Sequence, residues 1–291
     1  MRSAAEVAAP DLLRRRSLGG PAARSLLLTV LGEFVLDHTE PVWNATLVRA
    51  LEILGIREVT ARQAVTRSAA EGWLERDRVG RQARWRLSAP TRELLVRGRE
   101  RIYNFEGIAT EWDGRWLMVV VRVPEGRRDH RHQVRTRLAW AGFGSLGGGL
   151  WISPHVEREA DLSDAVAGNG VADVLSFHAE MGGMQEPRRV VEEAWDLREI
   201  ADRYRDFVTR YRKLRPKDAE ATFRAQTELV HDWRKFPFLD PDLPQEMLPE
   251  RWPRTRAHQV FVERHAEWQG PAQAYFGSLE RLVGAPADRA A

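Results

Sequence analysis

The sequence contains no cysteine. That excludes disulfides, thiolate nucleophiles, iron–sulfur clusters and cysteine-type zinc sites together. No apolar run approaches the ~18 residues a membrane-crossing helix needs, and mean hydropathy is −0.47. The first twenty residues, MRSAAEVAAPDLLRRRSLGG, carry charge throughout and no continuous apolar core, so they read as a mobile arm and not as a signal peptide. Neither G-x-S-x-G nor H-E-x-x-H occurs. The reading is a cytoplasmic chain with no catalytic set, no cofactor and no metal site. Lysine is nearly missing: only Lys213, Lys217 and Lys235 stand among 45 basic residues. Codon usage accounts for such an Arg-to-Lys ratio, so only the placement of the arginines informs.

What is present is ordinary for a globular protein: 291 residues, 43% hydrophobic and 30% charged. That length suits two or three domains. Net charge is +3, yet segment 57–101 alone holds twelve Arg against six acids. Leu26, Leu27, Val30, Leu31, Phe34 and Val35 fall at helical spacing and predict a helix over 22–37. Leu47, Val48, Leu51 and Leu54 predict a second, stopped by Gly55. A third runs from Thr60, with Gln63 completing a capping-box pattern, to about Gly72. WLERDRVGRQARWRL then alternates as two short strands around Gly80–Gln82. Three helices followed by a hairpin is the order of a winged helix-turn-helix.

Residues 90–107 read as a helix leading to a second unit. A buried strand from Trp116 to Val123, a helix over 127–141, a strand from Leu150 to Ser153, a short helix near 157–167 and a strand near Val171–His178 follow. One more strand is open in the glycine-rich region before Leu150. This order fits a ferredoxin-like α+β domain. The remainder is helical over 188–213, 216–235 and 256–283, with a non-helical, Pro-rich FPFLDPDLPQEMLPERWP between the last two. The fold class is multidomain α+β: arm 1–20, winged helix-turn-helix 21–90, linker helix 91–110, ferredoxin-like domain 111–185 and helical C-terminal domain 186–291.

The third helix carries the sharpest chemistry. Ala61, Ala64, Val65, Ser68 and Ala69 are small or apolar and allow close packing. Arg62, Gln63, Thr66 and Arg67 form one outer patch, unbroken by an acid. These are the types that read base edges: Arg bonds guanine, Gln bonds adenine, and the Thr methyl packs on thymine. Arg78, Arg81 and Arg84 on the hairpin suit backbone phosphates. An ordinary solvated face is the plain alternative for the helix, and the arginine-crowded hairpin weighs against it.

The stretches ARSLLLTVLGEFV, PVWNATLVRALEILGI and TARQAVTRSAAEGWLERDRVGRQARWRLS resemble the N-terminal domain of the PaaX family, bacterial repressors of phenylacetate catabolism. WDGRWLMVVVRVPE, RTRLAWAGFGSLGGGLWISP and RKFPFLDPDLPQEMLPERWP continue the resemblance over about residues 22–285. It implies a homodimer on double-stranded DNA at a palindromic operator, released by an acyl-CoA such as phenylacetyl-CoA. A CoA ester needs aromatic walls and arginines, so Trp233, Arg234, Lys235, Phe236, Trp252 and Arg254 are the effector candidates.

The alternative class is an enzyme on the central domain, a nucleic-acid hydrolase or a CoA-ester processor. That domain is similar in kind to CRISPR-adaptation nucleases, which carry an acidic metal ligand at the end of their first strand. Here that place reads Val121, Arg122, Val123, and Asp113 lies before the strand. Gly142-Phe143-Gly144-Ser145-Leu146-Gly147 matches G-x-G-x-x-G but follows a helix and precedes a strand, the reverse of a dinucleotide site. Asp129, His130 and His132 do not converge on one helix face.

Overall fold

In α1 (Ala23–Val30) and the wider turn that continues it (Leu31–Val35), apolar residues recur every fourth position. Leu26, Leu27, Val30, Leu31, Phe34 and Val35 are all buried. A helix of 3.6 residues per turn drifts away from such a spacing. One π turn absorbs the drift and keeps the stripe on a single face. This computed structural model describes residues 23–79, 82–105, 112–124, 128–160, 162 and 173–284. The arm 1–20 and the hairpin tip at Arg81 lie outside them.

A two-residue strand, β1 (Val42–Trp43), leads into α2 (Asn44–Ile53). The turn after α2 holds Gly55 at φ 86°, where a side chain is disfavoured. α3 (Glu58–Ala70) begins earlier than the capping-box pattern predicts. Its cap is Arg57, without a side-chain hydrogen bond, and Thr60 sits inside the first turn; Glu58 supplies the negative charge a helix start favours. β2 (Leu74–Val79) and β3 (Gln82–Leu87) form the antiparallel hairpin, paired from Leu74↔Leu87 to Val79↔Gln82. β1, too short to read from periodicity, joins β3, giving the order β1-β3-β2. α4 (Ala89–Tyr103) starts on Ser88, whose hydroxyl accepts from the Thr91 amide at 3.4 Å.

β4 (Arg115–Arg122), α5 (Arg128–Trp140), β5 (Gly144–Gly147), β6 (Leu150–Ser153) and β7 (Asp173–Glu180) follow. The strands form one antiparallel sheet in the order β5-β6-β4-β7. β5 is the additional strand in the glycine-rich region. Leu117, Val119 and Val121 of β4 pack with Val134 and Leu138 of α5 and with Phe143, Trp151 and Leu162.

The helix expected over 188–213 is two, α6 (Pro187–Ala194) and α7 (Leu197–Arg212). Trp195 is extended, and the Asp196 carboxylate accepts from the Glu199 amide at 3.0 Å, capping α7. α8 (Ala219–Trp233) comes next. The Pro-rich segment is not wholly irregular: it contains α9 (Phe236–Leu239), started by Pro237, and a 3₁₀ turn at Gln245–Met247. α10 (Arg254–Gly284) ends the described chain.

The described residues divide into two compact units. Residues 23–105, 210–234 and 259–284 make the first; residues 112–209 and 235–258 make the second. In an apolar core of the first unit, Phe223, Ala272, Phe276 and Leu279 join Leu26, Leu31, Phe34, Leu47, Leu51 and Val65. Phe34 lies 4.8 Å from Phe223 and 5.4 Å from Phe276, ring centre to ring centre.

Glu33, at the middle of the π turn, is buried in this unit. Its carboxylate accepts from Gln226 Nε2 at 2.7 Å and Tyr103 Oη at 2.6 Å and meets His265 Nε2 at 2.9 Å. Gln273 Nε2 donates to the Glu33 carbonyl at 2.6 Å. Burial pushes the Glu33 carboxyl up, but the bonds and charge from His265, with the bonds from Tyr103 and Gln226, outweigh it and hold it below the ordinary range.

Candidate nucleic-acid interface

α3 presents two unlike faces. Ala61, Ala64, Val65 and Ser68 are at most 4% exposed. Their small side chains let α3 seat closely against α1 and α2 in one core. Arg62, Gln63, Thr66 and Arg67 are all exposed. From Arg62 to Arg67 the patch climbs about 7.5 Å along the axis, at ~1.5 Å per residue. Glu58 stands at its edge, and Arg62 Nε and Nη2 bond its carboxylate at 2.8 and 2.6 Å. An exposed i,i+4 pair contributes only about 0.3–0.5 kcal/mol, so a stronger acceptor displaces it readily. The side chains of Gln63, Thr66 and Arg67 make no hydrogen bond or ion pair with another described residue. Gly72, at φ 81°, ends the helix, and its amide donates to the Ala69 carbonyl at 3.0 Å.

The hairpin arginines differ from one another. Arg76 is exposed; Arg86 is exposed and faces Asp77 at 3.6 Å. Arg78 pairs in register with Ala83. Arg84 is half-buried, its guanidinium 4.8 Å from the centre of the Trp43 ring and its Nε donating to the Pro41 carbonyl at 2.9 Å. Arg84 thus fastens the hairpin to the segment entering α2, a role visible only once β1 is known.

The effector candidates fall in both units. In the first, Trp233 is fully buried, stacks on Phe261 at 4.8 Å and donates to the Ile102 carbonyl at 3.1 Å. Arg234, 7% exposed, donates through Nη2 to the Ser25 hydroxyl at 2.7 Å and the Ser25 carbonyl at 3.1 Å. In the second, Phe236 stacks on Tyr204 at 4.1 Å, and Trp252 meets the same ring edge-on at 6.2 Å. Arg254 is buried against Asp242 at 2.8 Å and Asp240 at 3.4 Å. Burial pushes the Asp240 carboxyl up even beside that cation. Lys235 is half-buried.

The other motifs resolve into packing. A Cβ at Gly144 would lie 2.6 Å from the Trp195 ring, and one at Gly142 would run into the Arg158 guanidinium. The glycine string leaves α5 and enters β5 and β6, the order opposite to a phosphate cradle. At the end of β4, Arg122 faces Asp173 of β7 at 4.0 Å, while Asp113 is held by Arg115 at 2.7 Å. Ser176 and His178 both contact Glu159, at 2.5 and 3.0 Å, so they share one acceptor and do not form a nucleophile–base relay. On α5, His130 is half-buried and His132 exposed; the Asp129 side chain lies outside the description. Among the described residues no three His, Asp or Glu side chains are grouped to hold a metal, and no helix is long and apolar enough to cross a membrane.

Three family models match the chain in order. Residues 22–91 match the PaaX-like protein model, 109–191 the PaaX protein central Cas2-like domain, and 195–278 the PaaX-like protein C-terminal domain. The transcriptional repressor PaaX of Escherichia coli (strain K12) is 34% identical over 251 residues, which are 82% of this chain and 78% of that protein. The chain belongs to the PaaX family. A solved structure, the uncharacterized protein Rv0674 from Mycobacterium tuberculosis, matches with a TM-score of 0.60 at 25% identity. The match covers 87% of this PaaX-family chain and 98% of that one.

Proposed function

We propose that this PaaX-family protein is a DNA-binding transcriptional repressor. The carrying observation is the exposed Arg62-Gln63-Thr66-Arg67 face on a helix whose other side is sunk in the core. The E. coli relative of the same family is a transcriptional repressor, which supports the reading. On it, residues 21–90 are a winged helix-turn-helix: α3 enters the major groove and reads base edges, and the β2–β3 hairpin holds backbone phosphates through Arg76, Arg78 and Arg81. The 111–185 segment is a ferredoxin-like domain, supported by its β-α-β-β order and by the sheet order β5-β6-β4-β7.

The operator is palindromic and the protein a homodimer, with half-sites about one helical turn apart. β7 supports dimerisation, being an edge strand with Leu175 and Phe177 exposed at 46% and 52%. An acyl-CoA such as phenylacetyl-CoA binds the DNA-free conformation more tightly and so releases the operator.

The test is fluorescence anisotropy on a duplex selected from a random pool, set against a scrambled duplex, across salt concentrations. Arg62→Ala and Arg67→Ala are each expected to lose about 1–3 kcal/mol of sequence discrimination. Arg76→Ala is expected to weaken both duplexes alike and lower the salt slope by about 1. Equal binding of selected and scrambled duplexes by the unaltered protein refutes the repressor reading.

A further inference from the structure

α3 carries an apolar residue that neither the core nor helix formation accounts for. Val59, in its first turn, is 68% exposed. The apolar residues around it behave otherwise: Ile56 and Ala69 pack against the core of the first unit, and Ala61, Ala64 and Val65 lie within it. A β-branched residue on a solvated helix face is a poorer helix former than alanine and gains nothing by burial. A single exposed valine is common on protein surfaces, so its position decides what it means.

That position is the middle of the outward face. At about 100° per residue, Gln63, Thr66 and Ala70 fall within about 40° of Val59, while Arg62 and Arg67 stand about 60° and about 80° to either side. All six are exposed. Val59, Gln63 and Thr66 therefore form a central row, and the two arginines border it. From Val59 to Thr66 the row rises about 10 Å along the helix axis, the length of roughly three base pairs. Glu58, the acid beside Val59, points about 100° away and is held by Arg62 Nη2 at 2.6 Å.

We infer that Val59 is a specificity-determining residue that reads a thymine methyl group in the major groove, beside the bases met by Arg62, Gln63 and Thr66. This rests on the DNA-reading role of α3 proposed above. The C5 methyl of thymine is the apolar group that base edges present in that groove. The other edge atoms are amino donors and ring or carbonyl acceptors. An apolar side chain laid on those displaces water without replacing its hydrogen bonds. Val59 therefore favours an A·T pair, with thymine on the strand it faces, and disfavours a G·C pair. The bordering arginines supply the attraction that brings this apolar row to the duplex, since phosphates line both sides of the groove.

The test is a deoxyuridine scan of the duplex selected by the full chain, read by fluorescence anisotropy. Each thymine is replaced in turn by deoxyuridine, which removes the methyl group and leaves every hydrogen-bonding atom in place. At one thymine the exchange is expected to raise the Kd of the unaltered protein about fourfold, the factor to which burial of one methyl group corresponds. Val59→Ala is expected to bind the thymine duplex about fourfold more weakly and to lose nothing further on the exchange at that position. Val59→Ala retains the fold, since alanine is the better helix former and the exposed valine has no packing to lose. Val59→Ile is expected to regain the dependence on that methyl group, and Thr66→Ala to keep it. Methyl dependence that is unchanged at every thymine in Val59→Ala, or none at any thymine in the unaltered protein, overturns this inference while the preference for the selected duplex stands. Absence of that preference in the unaltered protein overturns the repressor reading and this one with it.

Discussion

Replacing Glu33 by alanine would leave the buried Gln226 Nε2 without its acceptor, and would leave Tyr103 Oη and His265 Nε2 with only their 2.9 Å contact to each other. Each unsatisfied buried donor costs about 1–3 kcal/mol, and breaking a buried charged pair from one side costs about 3–5 kcal/mol. These overlap, since the donors share one carboxylate, so the expected loss is about 3–5 kcal/mol. Urea unfolding followed by tryptophan fluorescence reads it directly, Trp233 being buried in the same unit. The pH dependence gives an independent check. The folded Glu33 carboxyl lies below its ordinary value near 4.5, so the unfolded chain takes up a proton first as pH falls. Its contribution is present above pH ~4.5 and is lost as pH drops through the folded value, with a slope of up to about 1.4 kcal/mol per pH unit. Glu33→Ala is expected to lack that slope. A loss under about 1 kcal/mol with an unchanged acid limb refutes the assignment of Glu33 as a charged, fully engaged group.

Gly144→Ala is expected to destabilise by about 1–3 kcal/mol, because its new Cβ meets the Trp195 ring at 2.6 Å; a neutral result in chemical denaturation contradicts that packing. Arg84→Ala is expected to lower the melting temperature while leaving the salt slope of duplex binding unchanged, since Arg84 rests on Trp43 and Pro41. A reduced salt slope returns Arg84 to the phosphate-binding set. Arg254→Met strands Asp240 and Asp242, and a loss of about 3–5 kcal/mol is expected by urea titration. Asp240→Asn in the same background is expected to recover part of it.

The elements that periodicity revealed are those with a long apolar stripe. α1, α2 and β6 lie where Leu26–Val35, Leu47–Leu54 and Leu150–Ser153 predict them. The start of α3 was obscured because Thr60 and Gln63 imitate a cap that the helix does not use. β1 has two residues, fewer than any alternation needs to register. The division between α6 and α7 rests on Asp196, one capping residue inside a run that is otherwise compatible with helix throughout. The outer face of α3 was legible because small and large polar residues alternate at helical spacing within thirteen residues. The partners of Arg84 and Arg234 were not. Pro41, Trp43 and Ser25 reach them through tertiary folding, and a bond across 209 positions leaves no trace in local spacing.

The interleaving of the first unit bears on how the molecule is made. Phe34 stacks against Phe276, and the ribosome adds Phe276 roughly 170 residues after it has passed Phe105. At ~5–20 residues per second, the amino-terminal helices wait about 10–30 s with that apolar side open to water. A ribosome stalled late in the message releases a fragment that has every element of the α3 face and nothing to close the core behind it.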